Sequence, residues 1–264
     1  MYETHYHRAS SVEDAVKQMS DAGEGKYLSG GMTLIATMKQ RLAQPSDLID
    51  LRHIDGLRGI SVNGRTVRIG AATTHAEVAA SAEIAAVCPA LTSLAQVIGD
   101  PHVRHMGTIG GSIANNDPAA DYPAAMLALD AVIITNGREI KAGDFFTGLF
   151  STALEDGEIV TAVRFDAPEK AGYAKFRNPA SRYAMTGVFV AKTSDGVRVA
   201  VTGAGSDGVF RHEGLEAALA ADFSADALGS VTVDAGGLLS DIHAGADYRA
   251  NLVKVMARRA VAAA

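Results

Sequence analysis

The sequence predicts an α+β fold in three consecutive parts, and three observations carry that expectation. A strand, a glycine turn and a helix follow one another within the first fifty residues. Short strands around tight turns then alternate with helical stretches as far as residue 165. Beyond a Pro/Gly break at 168–172, two strands flank Asp195-Gly196, a strong hairpin signal, and helices close the chain. The parts are expected at 1–56, 57–167 and 168–264.

Taken in order, Ser10-Ser11-Val12-Glu13 has the spacing of a capping box with Ser10 as N-cap. Ala15, Val16 and Met19 share the face of the helix that follows, and Gly23 is a natural stop. Lys26-Tyr27-Leu28 reads as a strand entering Ser29-Gly30-Gly31-Met32-Thr33. A second helix is expected there, with Leu34, Ile35, Met38 and Leu42 on one side and Pro45 beyond its end. Leu48-Ile49-Asp50-Leu51 completes a β-α-β unit.

Strands at 60–62 and 66–69 flank Asn63-Gly64, and helices are expected at 75–81 and 89–98. The polar run from Thr108 to Tyr122 reads as a glycine loop. A helix at 122–129 and strands at 131–135 and 159–165 come next. In the last part, strands at 187–191 and 197–201 precede helices at 212–220 and 247–262.

Composition narrows the function. The chain of 264 residues is 48% hydrophobic and 20% charged, which is ordinary for a globular protein. Its 24 basic and 30 acidic residues give a net charge of −6, without the basic face that nucleic acid requires. One cysteine, Cys88, allows neither an intramolecular disulfide nor a four-cysteine iron–sulfur or zinc site. The first eight residues lack an apolar signal core and no 18-residue apolar run occurs, so neither a leader nor a transmembrane segment is expected. A cytoplasmic protein is the default expectation, with peripheral membrane association left open.

Chemistry concentrates in two glycine turns. Backbone lacking Cβ atoms approaches a ligand closely, and its N–H groups form a fixed positive dipole. Ser29-Gly30-Gly31-Met32-Thr33 lies where a strand hands over to a helix, a position suited to pyrophosphate. Its adjacent glycines match neither the G-x-G-x-x-G dinucleotide fingerprint nor a P-loop. Taken alone, it fits a plain tight turn equally well. The second, Thr108-Ile109-Gly110-Gly111-Ser112, is embedded among Asn115, Asn116, Asp117 and Asp121.

Together, Tyr27-Leu28-Ser29-Gly30-Gly31-Met32-Thr33-Leu34 and Gly107-Thr108-Ile109-Gly110-Gly111-Ser112-Ile113-Ala114 resemble the FAD-binding, or medium, subunit of molybdenum hydroxylases. That family includes xanthine dehydrogenase and aerobic carbon monoxide dehydrogenase, and the resemblance covers essentially the whole chain. It implies the two-subdomain FAD-binding fold of the vanillyl-alcohol oxidase type, followed by a C-terminal α+β domain. It also implies noncovalent FAD, with amides of Ser29, Gly30, Gly31, Met32 and Thr33 on the pyrophosphate. Thr108, Gly111, Asn115 and Asp121 would line the opposite side, and Ile98, Val103 and Gly107 would complete the wall. Leu34, Gly110, Ser112, Ala114 and Ile159 belong to the same implied set.

In the third part, Tyr183 falls where the resemblance implies an aromatic over one flavin face; from the residues alone it is a partly buried strand tyrosine. Lys175 is either a cofactor contact or a solvated strand lysine. Relatives often carry His where this chain has Met32, so a side-chain contact there would be lost while backbone contacts remain. Ser29 in place of the common Ala is expected to be harmless.

His102 and His105 lack a third metal ligand and read as surface histidines. Cys88 reads as a buried small residue, and Arg177, Arg182 and Arg211 as surface charge. The implied role is electron transfer, with no catalytic residue acting on an organic substrate. Molybdopterin would reside in a large partner subunit and two [2Fe–2S] clusters in a small one, the whole forming a dimer of heterotrimers. Electrons would leave FAD for NAD, quinone or another acceptor. A stand-alone FAD oxidase and a flavin-less scaffold are the alternatives.

Overall fold

The computed structural model describes residues 1–264. Strand β1 (His5–Arg8), helix α1 (Val12–Asp21), β2 (Gly25–Leu28), α2 (Leu34–Lys39) and β3 (Asp47–Asp50) form the first unit. Its three strands run parallel in the order β1-β3-β2. The α1 cap sits one residue later than expected: Ser11 accepts from the Asp14 N–H at 3.1 Å, and the Asp14 carboxylate accepts from Ser10. Helix α2 ends before Leu42, which lies outside it and is exposed.

The middle of the chain contains β4 (Ile60–Asn63), β5 (Thr66–Gly70), α3 (His75–Ala80), α4 (Ala82–Val87), α5 (Pro89–Gln96), α6 (Pro101–Met106), α7 (Ile109–Asn115) and α8 (Tyr122–Ala128). After them come β6 (Val132–Thr135), β7 (Glu139–Lys141), α9 (Ala142–Phe145), β8 (Phe146–Gly148), β9 (Ser151–Thr152) and β10 (Val160–Asp166). Five of these strands make an antiparallel sheet ordered β4-β5-β10-β6-β7. The fully buried Tyr122, Met126, Ile109, Ile113 and Leu91 pack in the core beside it.

Helix α7 corrects the expectation of a loop across 108–122. Glycine is a poor helix former, costing about 1 kcal/mol relative to alanine, which is why the pair reads as a turn. Here Thr108 caps the helix by accepting from the Gly111 N–H at 3.1 Å, and Gly110 is pressed against Ala71. Packing overrides propensity.

The third unit is an antiparallel sheet of β11 (Lys170–Arg177), β12 (Ala184–Thr193), β13 (Gly196–Thr202) and β14 (Phe210–Arg211), covered by α10 (Glu213–Ala221) and α11 (Ala246–Ala262). Thr193 and Gly196 pair across the expected hairpin. Lys170 to Gly172, expected as a linker, already open β11. Ala171, Phe189, Ala191 and Ala200 pack into the middle unit's core, while Val188, Val190, Val199 and Val201 bury against α10 and α11. This alternation along β12 and β13 docks the third unit onto the middle one and places its first strand against the cleft described next.

Candidate functional site

A cleft of about 810 Å³ opens where the three units meet. It lies in the upper range of small-molecule sites, about 300–1,000 Å³. Ser29, Gly30, Gly31, Met32, Thr33 and Leu34 form one wall. Gly107, Thr108, Gly110, Gly111, Ser112, Ala114 and Asn115 form the other, with Ile98 and Val103 beside them. Ile159 lines the cleft from the start of β10, and Asp121, Lys175 and Tyr183 line it near the third unit.

The first wall is built for close backbone approach. Gly31 has φ +71°, a left-handed conformation that side chains disfavour, and it turns the chain from β2 into α2. A Cβ on Gly30 would overlap the Met106 carbonyl oxygen, so the two glycine segments cross in backbone contact. The Ser29 and Thr108 hydroxyls join them at 2.8 Å. None of the backbone N–H groups of Ser29, Gly30, Gly31, Met32 and Thr33 donates to a protein acceptor. Five successive free donors beside a cleft suit an anion such as a pyrophosphate. The Ser112 hydroxyl and the Asn115 amide lack protein partners as well. This donor set fits the phosphates and polyol chain of FAD.

The opposite end is ionic. Lys175 Nζ stands 2.9 Å from Asp121 Oδ2 and donates to the Val97 carbonyl at 3.2 Å; its side chain is 4% exposed and that of Asp121 5%. The Tyr173 hydroxyl donates to Asp121 Oδ1. Burial pushes the Asp121 carboxyl up, and the Lys175 ammonium opposes that shift. Lys175 is therefore no solvated strand lysine. Tyr183 lies in the turn before β12, outside any strand, and is 46% exposed. Burial and the Asp117 charge push its phenol up.

Several lining residues were not singled out from the sequence. Tyr27, Leu51, Leu57, Ala71, Ala72, His75, Asp117 and Glu158 all face the cleft. Asp117 lies inside the polar run that drew attention to the second glycine turn, so a signal existed. His75 gave none: its N–H is bonded to the Gly107 carbonyl at 2.9 Å, a contact between distant segments. Burial pulls its imidazole down to about 4, leaving it neutral.

His102 and His105 are exposed on α6, Cys88 is buried with its thiol pushed up to about 12, and Arg211 pairs with Glu216 at 2.7 Å. No group of three His, Cys, Asp or Glu side chains is arranged to hold a metal ion. No helix is long and apolar enough to cross a membrane.

The fold and the cleft thus define a protein whose paired glycine segments suit a dinucleotide-sized, phosphorylated cofactor. The chain belongs to the family described as the FAD binding domain in molybdopterin dehydrogenase, whose model matches residues 2–168. It is similar to the carbon monoxide dehydrogenase medium chain of Afipia carboxidovorans, at 36% identity over 97% of this chain and 94% of that one. The nicotine 6-hydroxylase medium subunit of Paenarthrobacter nicotinovorans is 33% identical, over 97% and 95%. Among solved structures, reconstituted CO dehydrogenase from Oligotropha carboxidovorans matches with a TM-score of 0.91 at 33% identity, covering 100% and 98% of the chains. This is an FAD-carrying medium subunit of the molybdenum hydroxylase type, an oxidoreductase component.

Proposed function

We propose that the cleft holds FAD with its pyrophosphate on the N–H row of Ser29 to Thr33 and its flavin near Asp121, Lys175 and Tyr183. The observation that carries this reading is that row of five unpartnered donors in a cleft whose other wall is a second glycine segment. Thr108 and Ser29 hold the two walls in register. Lys175 is fixed by Asp121 and Val97, so a positive charge is held in place without reorganisation when a ligand's charge changes. When bound, FAD supplies the redox chemistry; the protein supplies position and electrostatics. On this reading the chain is organised as 1–56 and 57–167 around FAD, with 168–264 closing the flavin end.

Electrons enter from [2Fe–2S] clusters of a small partner subunit, after substrate oxidation at a molybdopterin centre in a large one, and leave for an external acceptor. The single cysteine supports this division of labour, because the chain cannot itself ligate a four-cysteine cluster. The medium-chain and medium-subunit names of its relatives support it too. A dimer of heterotrimers is the proposed assembly. Mixing the FAD-loaded chain with a reduced iron–sulfur subunit tests the role: flavin absorbance is expected to bleach, and an unchanged spectrum rejects it.

A further inference from the structure

Three carboxyl groups line the cleft: Asp117, Asp121 and Glu158. Asp121 has Lys175 at 2.9 Å, and Glu158 has Arg138 at 3.0 Å. Asp117 has no cation. One of its oxygens accepts the Ala119 N–H at 2.8 Å, and the other has no protein partner. Its position is nonetheless fixed. Asn116, held at φ +42°, donates from its amide to the Gly148 and Ser151 carbonyls, both at 2.8 Å. Thr202 Oγ1 and the Gly203 N–H bind the Pro118 carbonyl at 3.1 and 2.8 Å. Asn116 ends α7 in the left-handed conformation that asparagine tolerates at helix ends.

The residues that hold this turn from neighbouring elements, Thr202, Gly203 and Phe150, are themselves uncharged. The other titratable groups of the cleft are Lys26, Tyr27, His75, Lys175, Arg182 and Tyr183. Lys175 is committed to Asp121, the Tyr27 hydroxyl to the Gly157 carbonyl at 2.9 Å, and His75 is neutral. The Tyr183 phenol carries the influence of the Asp117 charge. Burial without a cation pushes the Asp117 carboxyl up, which brings its protonation nearer to neutral pH.

We propose that Asp117 couples proton uptake to reduction of the bound flavin. The inference rests on the reading of the cleft as an FAD electron-relay site. As two electrons arrive from the partner's clusters, one proton from water enters the flavin and a second from water converts the Asp117 carboxylate to the acid. The charge of the site is then unchanged. On reoxidation both electrons leave to the acceptor and both protons return to water.

The test is the flavin midpoint potential of the full FAD-loaded chain, measured spectroelectrochemically against pH. Each proton taken up per two electrons contributes about 30 mV per pH unit. The unmodified chain is expected to show about 59 mV per pH unit around neutrality, and Asp117→Asn about 30. Asp117→Glu is expected to restore the steeper slope, and Asp117→Ser replaces Asp117→Asn if the latter loses FAD. Equal slopes in the unmodified chain and the uncharged variants overturn the inference while leaving FAD binding intact. A chain that takes up no FAD overturns the inference and the underlying reading together.

Discussion

Replacing Gly110 and Gly111 separately by alanine distinguishes packing from cofactor binding within one glycine pair. A Cβ on Gly110 would stand 2.5 Å from Ala71 Cβ, 2.8 Å from Ala71 O and 2.9 Å from Ala71 Cα. Ala71 cannot yield easily, because its N–H donates to the Thr161 carbonyl and its own carbonyl accepts from Gly110, both at 2.9 Å. Overpacking of this kind costs roughly 1–3 kcal/mol. Alanine in a helix returns about 1 kcal/mol, but the atoms met here are largely backbone, so the upper part of the range applies. A net loss of about 2 kcal/mol corresponds to a Tm lower by roughly 4–8 °C in a chain of this size.

A Cβ on Gly111 meets only Thr108 Oγ1 at 3.0 Å and Ser29 Cβ at 3.8 Å; it occupies the gap between the two glycine walls. Its effect on the FAD-free Tm is therefore expected to be within about 2 °C, since helix propensity offsets the tight contact. FAD affinity is expected to fall at least about tenfold, ~1.4 kcal/mol. Thermal denaturation without FAD and flavin fluorescence titration measure the two quantities. A Gly110→Ala chain as stable as the unmodified one would show that Ala71 leaves room for a Cβ, and a Gly111→Ala chain with unchanged affinity would show that FAD does not occupy the gap between the glycine walls.

Two further outcomes follow from the charges around the cleft. Lys175→Met leaves Asp121 buried without its cation, with an expected loss of about 3–5 kcal/mol in urea unfolding; adding Asp121→Asn should recover part of it. Full stability of the single variant would show that the pair is not buried as described. Hydrogen bonding from Arg138 holds the Glu158 carboxyl at about 2, against an ordinary 4.5. The folded state thus gains stability above the ordinary value, and that gain is lost as pH falls from about 4.5 through 2. Glu158→Gln should flatten this part of the acid limb, and an unchanged slope between those pH values would count against the contact.

Much of the architecture is legible in the sequence because it is local. The β-α-β unit shows in Leu28, Gly31 and Leu34, and the hairpin in Asp195-Gly196. What is illegible depends on contacts between distant segments. Gly110 reads as a loop glycine until Ala71, brought in by β5, shows why a Cβ is excluded and why a helix forms there. Lys175 is ambiguous until Asp121, 54 residues earlier, is found beside it. The cap at Ser11 instead of Ser10 turns on which serine reaches the Asp14 N–H, which spacing alone does not decide. The free donor row illustrates the same limit. Sequence places a glycine turn at 29–33, but only the fold shows that its N–H groups find no protein acceptor.

The cleft serves FAD as a relay between protein redox centres, and anaerobic rapid mixing puts that role to experiment. The FAD-loaded chain is mixed with the reduced iron–sulfur subunit in one arm and with an organic substrate of the assembled complex in the other. The flavin absorbance is expected to bleach in the first arm and to stay unchanged in the second. Reduction by the organic substrate alone, at the rate of the complete complex, would contradict it.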